Sequence, residues 1–143
     1  MEQLGNLFSG MRAAASGLNA ERTRIDVIAS NIANAQTTRT PEGGPYRRKL
    51  VNFEPIMRRA ESGLMESSGV KVTSVTEDMR TPLEPVFDPG HPDANSEGFV
   101  YMPNVNTTRE MADLITAVRA YEANLSVQES FMKMAERALR LAQ

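Results

Sequence analysis

The sequence predicts a mainly α protein with a small β module, in which long N- and C-terminal helices pair as an antiparallel coiled coil around short central strands. A seven-residue apolar repeat fills residues 1–35 of the 143-residue chain and recurs over residues 111–143. Between the repeats the chain is rich in proline and glycine and shows only short alternating apolar segments. A 3.5-residue period sustained over more than four heptads favours helices that pack along their whole length.

The first predicted helix covers residues 4–35 and lies in an N-terminal coiled-coil segment, 1–36. Nine of its ten seam positions are apolar, and the exception, Glu21, is interpreted either as a register-setting residue or as a solvent-facing one. The small residues at 13–17 would let a neighbouring helix approach closely. The two seams consist of Leu4, Met11, Leu18, Ile25 and Ile32 and of Leu7, Ala14, Glu21, Ile28 and Ala35.

The middle of the chain, 37–106, is expected to form a strand- and loop-rich module. The alternation of residues 70–77 slips by one position between Val72 and Val75, which predicts a β-bulge. Three short strands suffice for a small module but not for a large core. The predicted strands are 46–55, 70–77 and 99–102, separated by a polar loop at 58–69 and a turn-rich connection at 82–95.

A short basic run, Arg47, Arg48 and Lys49, lies in the first of these strands. One interpretation is a solvated strand edge that charge protects from aggregation. The alternative is a contact with an acidic surface on a neighbouring molecule.

The C-terminal segment, 107–143, is expected to form the second coiled-coil helix, running from Thr108 to about Leu141. Thr107 and Glu110 fit a capping box in which Thr107 is the N-cap residue and Glu110 occupies the third helical position. The two terminal segments are expected to form one domain.

The seams of this second helix are again apolar at nine of ten positions, and Gln128 allows the same two interpretations as Glu21. Ile115 and Met134 lie outside the seams, so a two-helix pair would leave apolar surface uncovered. Other subunits are expected to cover it. The seams consist of Met111, Val118, Leu125, Met132 and Leu139 and of Leu114, Tyr121, Gln128, Ala135 and Ala142.

Composition and charge exclude several classes of function. The formal net charge of -2 provides no basic surface for nucleic acid, and the lack of cysteine excludes disulfides, thiol nucleophiles and thiolate metal sites. The single histidine, His91, is interpreted as a turn residue rather than a metal ligand or a catalytic group. No enzyme activity, metal, cofactor or small-molecule substrate is therefore expected.

The N-terminus lacks the basic start and the apolar core of a secretory signal peptide. No apolar run approaches the roughly 18 to 20 residues that a membrane span requires. Taken alone, these features predict a soluble cytoplasmic protein.

Five stretches of the chain resemble the bacterial flagellar rod and hook protein family. Residues 29–37 are similar to the signature near the N-terminus of these axial proteins. The other four stretches, 69–72, 88–100, 102–106 and 119–124, narrow the resemblance to the proximal rod proteins of the family. The motif residues are Ser30, Asn31, Ala33, Asn34, Pro89, Gly90, Pro103, Asn104, Val105, Tyr121 and Asn124.

This resemblance implies a structural subunit that assembles with copies of itself into a helical drive shaft carrying torque from the motor to the hook. The implied partners are the rod proteins FlgB, FlgF and FlgG, the rod-base protein FliE and the flagellar type III export apparatus. The implied location is the periplasmic rod of the basal body, reached by that export route, in place of the cytoplasm. The alternative function is a soluble coiled-coil adaptor or export chaperone.

Overall fold

The computed structural model describes residues 2–59 and 63–141, with side chains at 9–59 and 63–140. Two long helices at the ends of the chain flank two antiparallel hairpins. The predicted helices and central hairpin strands are confirmed, although the β part is larger than expected. The elements are α1 (Glu2–Ala33), β1 (Lys49–Arg59), β2 (Met65–Glu77), β3 (Glu84–Phe87), β4 (Phe99–Met102) and α2 (Thr107–Leu141).

The helices α1 and α2 pack side by side in opposite directions. Near the start of α1, a Cβ added at Gly10 would lie 2.6 Å from the tip of the Phe131 ring. Near the end of α1, the Asn31 amide donates to the Glu110 carboxylate at 3.0 Å. Gly10 and Asn31 are separated by the same number of residues as Glu110 and Phe131, a whole number of heptads. The contacts therefore keep the predicted seven-residue spacing, but each of these four residues lies one position before a predicted seam residue. A supercoil of the two helices remains a prediction.

The seam that α2 turns toward α1 differs in part from the predicted one. The predicted seam through Leu114 and Tyr121 is half-buried at its described positions, which end at Ala135, while Ala142 lies outside the described residues. The seam through Val118 and Leu139 is instead 38% to 70% exposed. On the side of α2 that faces α1, residues one position earlier in the sequence take the place of the seam through Val118 and Leu139. We call the packed set the inner seam: Glu110, Leu114, Ala117, Tyr121, Asn124, Gln128, Phe131 and Ala135. The exposed set is the outer seam: Met111, Val118, Leu125, Met132 and Leu139.

The β1–β2 hairpin is longer than the sequence predicts. Its antiparallel ladder extends from the Lys49–Glu77 pair to the Arg59–Met65 pair. The predicted loop at 58–69 is therefore wrong over most of its described length, because strand pairing continues through residues that are polar and exposed. A two-stranded ribbon has two solvated faces at its tip, so polar residues there do not exclude a strand.

The predicted bulge in this hairpin is confirmed. Asn52 faces Ser74 while Phe53 faces Val72, which leaves Thr73 as the extra residue of β2. The bulge restores the alternation that the sequence interrupts at this point.

The hairpin lies against α1 through β2. The Ser16 hydroxyl accepts a hydrogen bond from the Val70 N–H at 3.0 Å and donates to the Ala13 carbonyl at 2.7 Å. Gly69 has φ +151° and lies so close to Ser16 that an added Cβ would clash with the hydroxyl. A glycine is therefore required where the strand crosses the helix.

The second hairpin pairs β3 with β4. The predicted strand at 99–102 is confirmed, but β3 lies within the expected turn-rich connection, because proline is tolerated in an edge strand. The Phe87 and Phe99 rings meet edge to face, with centroids 5.3 Å apart. Pro103 is buried immediately after β4, and Val105 is half-buried.

The apolar core of the described chain is small. Its buried apolar side chains are Ala14, Ala20, Ile28, Tyr46, Val100 and Ala117. Half of these are alanines, so close backbone packing rather than large apolar side chains holds the helices together. Among the described residues, no helix is both long enough and apolar enough to span a bilayer.

Candidate assembly interface

Four side chains, Asn31, Tyr46, Arg48 and Glu110, form a polar cluster where α1, α2 and the start of β1 meet. Asn31 and Glu110 are each only 1% exposed. The Asn31 amide nitrogen donates to Glu110 Oε2 at 3.0 Å and to the Lys49 carbonyl at 2.9 Å. Its oxygen accepts from the Tyr46 hydroxyl and the Lys49 N–H, both at 2.9 Å. The hydrogen-bonding capacity of this amide is therefore fully used.

The buried Glu110 carboxylate has a cationic partner in the same cluster. Arg48 Nε and Nη2 each lie 2.6 Å from Glu110 Oε1, and Nη2 also lies 3.6 Å from the Asp113 carboxylate. Burying a carboxylate is unfavourable unless it is paired and hydrogen-bonded, so Arg48 and Asn31 are what allow Glu110 to be buried. Arg48 thus pairs with acidic groups of its own chain, an arrangement that neither interpretation of the basic run predicted.

The N-cap of α2 is Asn106, and the predicted capping box is wrong. Asn106 Oδ1 accepts a hydrogen bond from the Arg109 N–H at 3.0 Å, and its carbonyl accepts from the Glu110 N–H at 2.9 Å. The Glu110 side chain cannot turn back to Thr107 because it is held in the polar cluster.

Asn104 links the polar cluster to the connection after β2. Its oxygen accepts from the Arg48 N–H at 2.8 Å, and its nitrogen donates to the carbonyls of Asp78 and Thr81 at 2.9 and 3.0 Å. Three groups donate hydrogen bonds to the Asp78 carboxylate and hold its pKa below the ordinary value of 3.8. The Thr81 hydroxyl has the largest effect, and the N–H groups of Thr81 and Arg80 add to it. Asn104 thus fixes a turn against the start of β1.

The motif at the end of α1 both closes the helix and extends the cluster. The Asn34 amide donates to the Ser30 carbonyl at 2.9 Å and accepts from the Thr37 hydroxyl at 3.2 Å. The Ser30 hydroxyl lies 3.3 Å from the Tyr46 hydroxyl. Ala33, by contrast, is exposed and contributes no polar group.

The motif between β3 and β4 forms a surface turn. Pro89 and Gly90 are exposed, and the Thr38 hydroxyl ties the turn to the segment after α1 through the Asp93 carboxylate, at 2.8 Å. His91 accepts the Asp93 N–H on its Nδ1 at 3.1 Å, which is a turn contact. Within 9–59 and 63–140, no three His, Cys, Asp or Glu side chains gather in a way that could hold a metal ion.

One flank of the helix pair is apolar and open. On α1 this flank carries four half-buried residues, Met11, Leu18, Ile25 and Ile32. Each of them comes one position after a residue on the side of α1 that faces α2. On α2, the residues of the outer seam likewise come one position after residues that face α1. Because equivalent positions of two antiparallel helices lie on the same side of the pair, the two stripes share one flank. The β1–β2 hairpin covers α1 elsewhere, at Ser16. The predicted seam residues Leu4 and Leu7 lie outside the described side chains.

The sequence analysis placed Gly17 among the small residues that allow a close approach of helices, but it missed Gly10 and the α2 residues that meet the two glycines, Asn124 and Phe131. A Cβ at Gly17 would lie 2.9 Å from the Asn124 amide nitrogen, as Gly10 meets Phe131 one heptad away. Glycine inside a helix costs about 1 kcal/mol of stability relative to alanine. Two glycines seven residues apart in a helix therefore could have indicated a close helix contact. Glu110 was assigned to a cap because its partner, Asn31, is 79 residues away in sequence.

Two family models match the parts of the chain that build this interface. The family described as "Flagella basal body rod protein" matches residues 11–39, which cover most of α1 and the motif at its end. The family described as "Flagellar basal body rod FlgEFG protein C-terminal" matches residues 96–141, which cover β4 and α2.

Curated relatives extend the similarity to nearly the whole chain. A flagellar basal-body rod protein FlgC of Borreliella burgdorferi is 43% identical, over 96% of this chain and 98% of the relative. The FlgC protein of Bacillus subtilis is 40% identical over 94% and 97% of the two chains. The FlgC protein of Salmonella typhimurium is 39% identical over 91% and 93%.

Proposed function

We propose a specific role for this chain on the premise that it belongs to the FlgC family of flagellar basal-body rod proteins. The chain is a structural subunit of the basal-body rod and not an enzyme. Its role is to build the wall of the proximal rod, a helical shaft that transmits torque from the motor to the hook in bacterial motility.

The observation that supports this role is the exposed outer seam of α2. Its five residues recur every seven positions along the helix and are 38% to 70% exposed. A continuous apolar stripe of this length is unfavourable in water and is typical of a surface that another helix covers. The predicted subunit-packing role of this seam, and of Met11, Leu18, Ile25 and Ile32 on α1, is therefore retained as a proposal.

The proposed partners are further copies of this chain and other rod proteins. The match of β4 and α2 to the FlgE, FlgF and FlgG C-terminal family indicates that these proteins have a similar C-terminal segment. Subunits that share a helix face can follow one another in a single helical array. FlgB, FlgF, FlgG and FliE are thus the neighbours we propose, together with the flagellar type III export apparatus that delivers the chain to the periplasmic part of the rod.

A single charge in the outer seam tests this role. We expect Leu125→Asp to abolish rod assembly and swimming, because Leu125 is 41% exposed in the free chain and would be desolvated in the rod. The measurement is the amount of the variant in purified basal bodies, with the swimming radius of a strain that carries it as its only copy.

Ala123→Asp is the matched control. Ala123 is exposed on the same helix, two residues away and therefore on nearly the opposite side. It should leave assembly close to the wild-type level. Normal rods and full motility with Leu125→Asp would contradict the proposal, as would a soluble dimeric wild-type chain that never enters basal bodies, the behaviour of an adaptor or chaperone.

A further inference from the structure

We propose that Glu110 sets the rotation of α2 about its own axis and thereby keeps the outer seam outside the folded chain. The inference rests on the proposed function, in which the outer seam is the assembly surface, and adds to it how the free chain avoids burying that surface against itself. Glu110 is a positioning residue in this role, because it determines which side of α2 faces α1.

Two sides of α2 compete for the contact with α1. Both contain the half-buried residues that recur every seven positions from Leu114 to Ala135. The inner seam completes this set with residues that come one position before those of the outer seam, and one position corresponds to about 100° around a helix. A turn of α2 by about half that angle would therefore exchange the two seams and preserve the seven-residue spacing of the contact.

The small residues of α1 leave room for the outer seam as well. Gly17 lies against the Asn124 amide, and Leu125, one position later, is only about 1.5 Å further along the helix axis. Gly10 and Met132 are related in the same way one heptad away. The two glycines would therefore accept either seam of α2.

The exchange of seams would bring more apolar surface against α1. Leu125 would replace Asn124, and Val118 would replace Ala117, so each position gains apolar side-chain volume. At the level of Gly10, one large apolar side chain would replace another. Leu125 and Val118 are 41% and 38% exposed in the observed structure. Burial of apolar surface therefore favours the turned arrangement of α2.

The observed rotation also leaves one carboxylate poorly placed. Among the described side chains, Glu21 Oε2 is buried without a hydrogen-bond partner, and Arg24 Nη1 lies 3.9 Å from it. Glu21 lies one turn from Gly17 on the same face of α1, and a buried carboxylate oxygen without a hydrogen bond is unfavourable. Contacts along the middle of the helices therefore do not account for the observed rotation.

Glu110 stabilises the observed rotation from a position between two elements. Its Oε2 accepts from the Asn31 amide of α1 at 3.0 Å, and its Oε1 accepts from Arg48 Nε, just before β1, at 2.6 Å. A turn that brought the outer seam to α1 would move Glu110 away from α1 and break its bond to Asn31. Because Asn31 is 1% exposed, one amide hydrogen would then be buried without an acceptor, which is unfavourable.

A buried polar contact of this kind selects one arrangement of two helices from several that are similar in apolar burial. In coiled coils, a polar residue at a single seam position has this effect at a cost in stability. The arrangement selected here is the one that leaves the outer seam exposed. An apolar residue at position 110 would make the inner seam more apolar at that level, yet it would remove the selection.

Glu110→Leu tests this role in the free chain. The chain contains no cysteine, so single introduced cysteines report the rotation through their reactivity with a maleimide. In the Glu110→Leu background we expect Leu125→Cys to react about tenfold more slowly, because a buried thiol is unreactive. Ala117→Cys, at a position that is 0% exposed, should react faster. The Glu110→Leu chain should be depleted from basal bodies although circular dichroism shows it to be helical.

Two controls accompany these measurements. Ala123→Cys lies on nearly the opposite side of α2 from Leu125, is exposed, and should react equally in both backgrounds. Glu54→Leu is the matched substitution, because Glu54 also pairs with a basic residue, Lys71 at 3.6 Å, but does so within the β1–β2 hairpin. It should leave the reactivity of Leu125→Cys unchanged.

The outcomes separate this inference from the proposed function. Unchanged reactivity of Leu125→Cys and Ala117→Cys in the Glu110→Leu background would overturn the inference and leave the rod function standing. An unfolded Glu110→Leu chain would overturn it as well, because the inference requires that the outer seam can replace the inner one in a folded chain. If wild-type chain is absent from basal bodies, the proposed function fails, while the thiol reactivities of the free chain still decide the role of Glu110.

Discussion

Asn31 joins three elements of the fold through one side-chain amide. Its four hydrogen bonds reach Tyr46 in the segment before β1, Lys49 at the start of β1 and Glu110 in α2. The sequence singled out Asn31 through the motif at the end of the first helix, but it could not show these partners. Hydrogen bonds between residues distant in sequence depend on how the chain folds back, whereas the capping pattern assigned to Glu110 is read from neighbouring residues alone.

Replacing Asn31 by alanine should therefore destabilise the purified chain by about 3 kcal/mol. The change removes the amide partner of the Lys49 N–H and carbonyl and of Glu110 Oε2, while Arg48 still pairs with Glu110 Oε1 and Ser30 stays near the Tyr46 hydroxyl. Each buried group that loses its hydrogen bond costs about 1–3 kcal/mol. Alanine is also the better helix former, so a loss cannot come from helix propensity. Urea denaturation measures the difference in the free energy of unfolding.

Asn19→Ala is the control for this substitution. Asn19 is exposed on the same helix, and its replacement should change stability by no more than about 0.5 kcal/mol. Equal effects of the two substitutions would show that the polar cluster contributes no more than an exposed amide.

At the scale of elements, small residues decide which seam of α2 faces α1. Gly10 receives the Phe131 ring and Gly17 receives the Asn124 amide. Together with the Asn31–Glu110 bond, these fits outweigh the burial that the outer seam would have gained against α1. The seven-residue repeat predicted the packing period, but two stripes one residue apart share that period, and only the contacts distinguish them.

Gly17→Leu tests the close fit between the helices. Its Cβ would lie 2.9 Å from the Asn124 amide nitrogen, so the helices must separate or Asn124 must move, and overpacking of this kind costs about 1–3 kcal/mol. We expect a lower thermal midpoint, with partial recovery in the double variant Gly17→Leu with Asn124→Ala. Asn19→Leu adds the same side chain on the exposed side of α1 and should not lower the midpoint.

At the scale of the whole molecule, the free chain has little to hold its ends. Among residues 9–59 and 63–140, few apolar side chains are buried, and three of them are alanines: Ala14, Ala20 and Ala117. Large apolar side chains lie on the outside, among them Leu125 and Met132. A chain of this kind gains much of its stability from neighbours, because the surface that drives burial is covered only on assembly.

Limited proteolysis should therefore cut the terminal helices of the free monomer before the central hairpins. Elements with few buried apolar contacts open at low free energy and become accessible to protease. In purified basal bodies the same sites should be protected. Residues 1–35 and 108–143 that remain intact in a protease-treated monomer would falsify this expectation and favour a pre-formed, stable helix pair.

The sequence by itself determined the two long helices, the bulge in β2, the strand at 99–102 and the family, because periodicity, turn residues and motifs are properties of the local chain. The tertiary structure alone decided which α2 seam packs, that Glu110 is buried against Arg48 and Asn31, and that the hairpin crosses α1 at Ser16. These choices depend on the fit between surfaces far apart in sequence. A heptad repeat fixes the spacing of a contact but leaves the rotation of each helix to its partner.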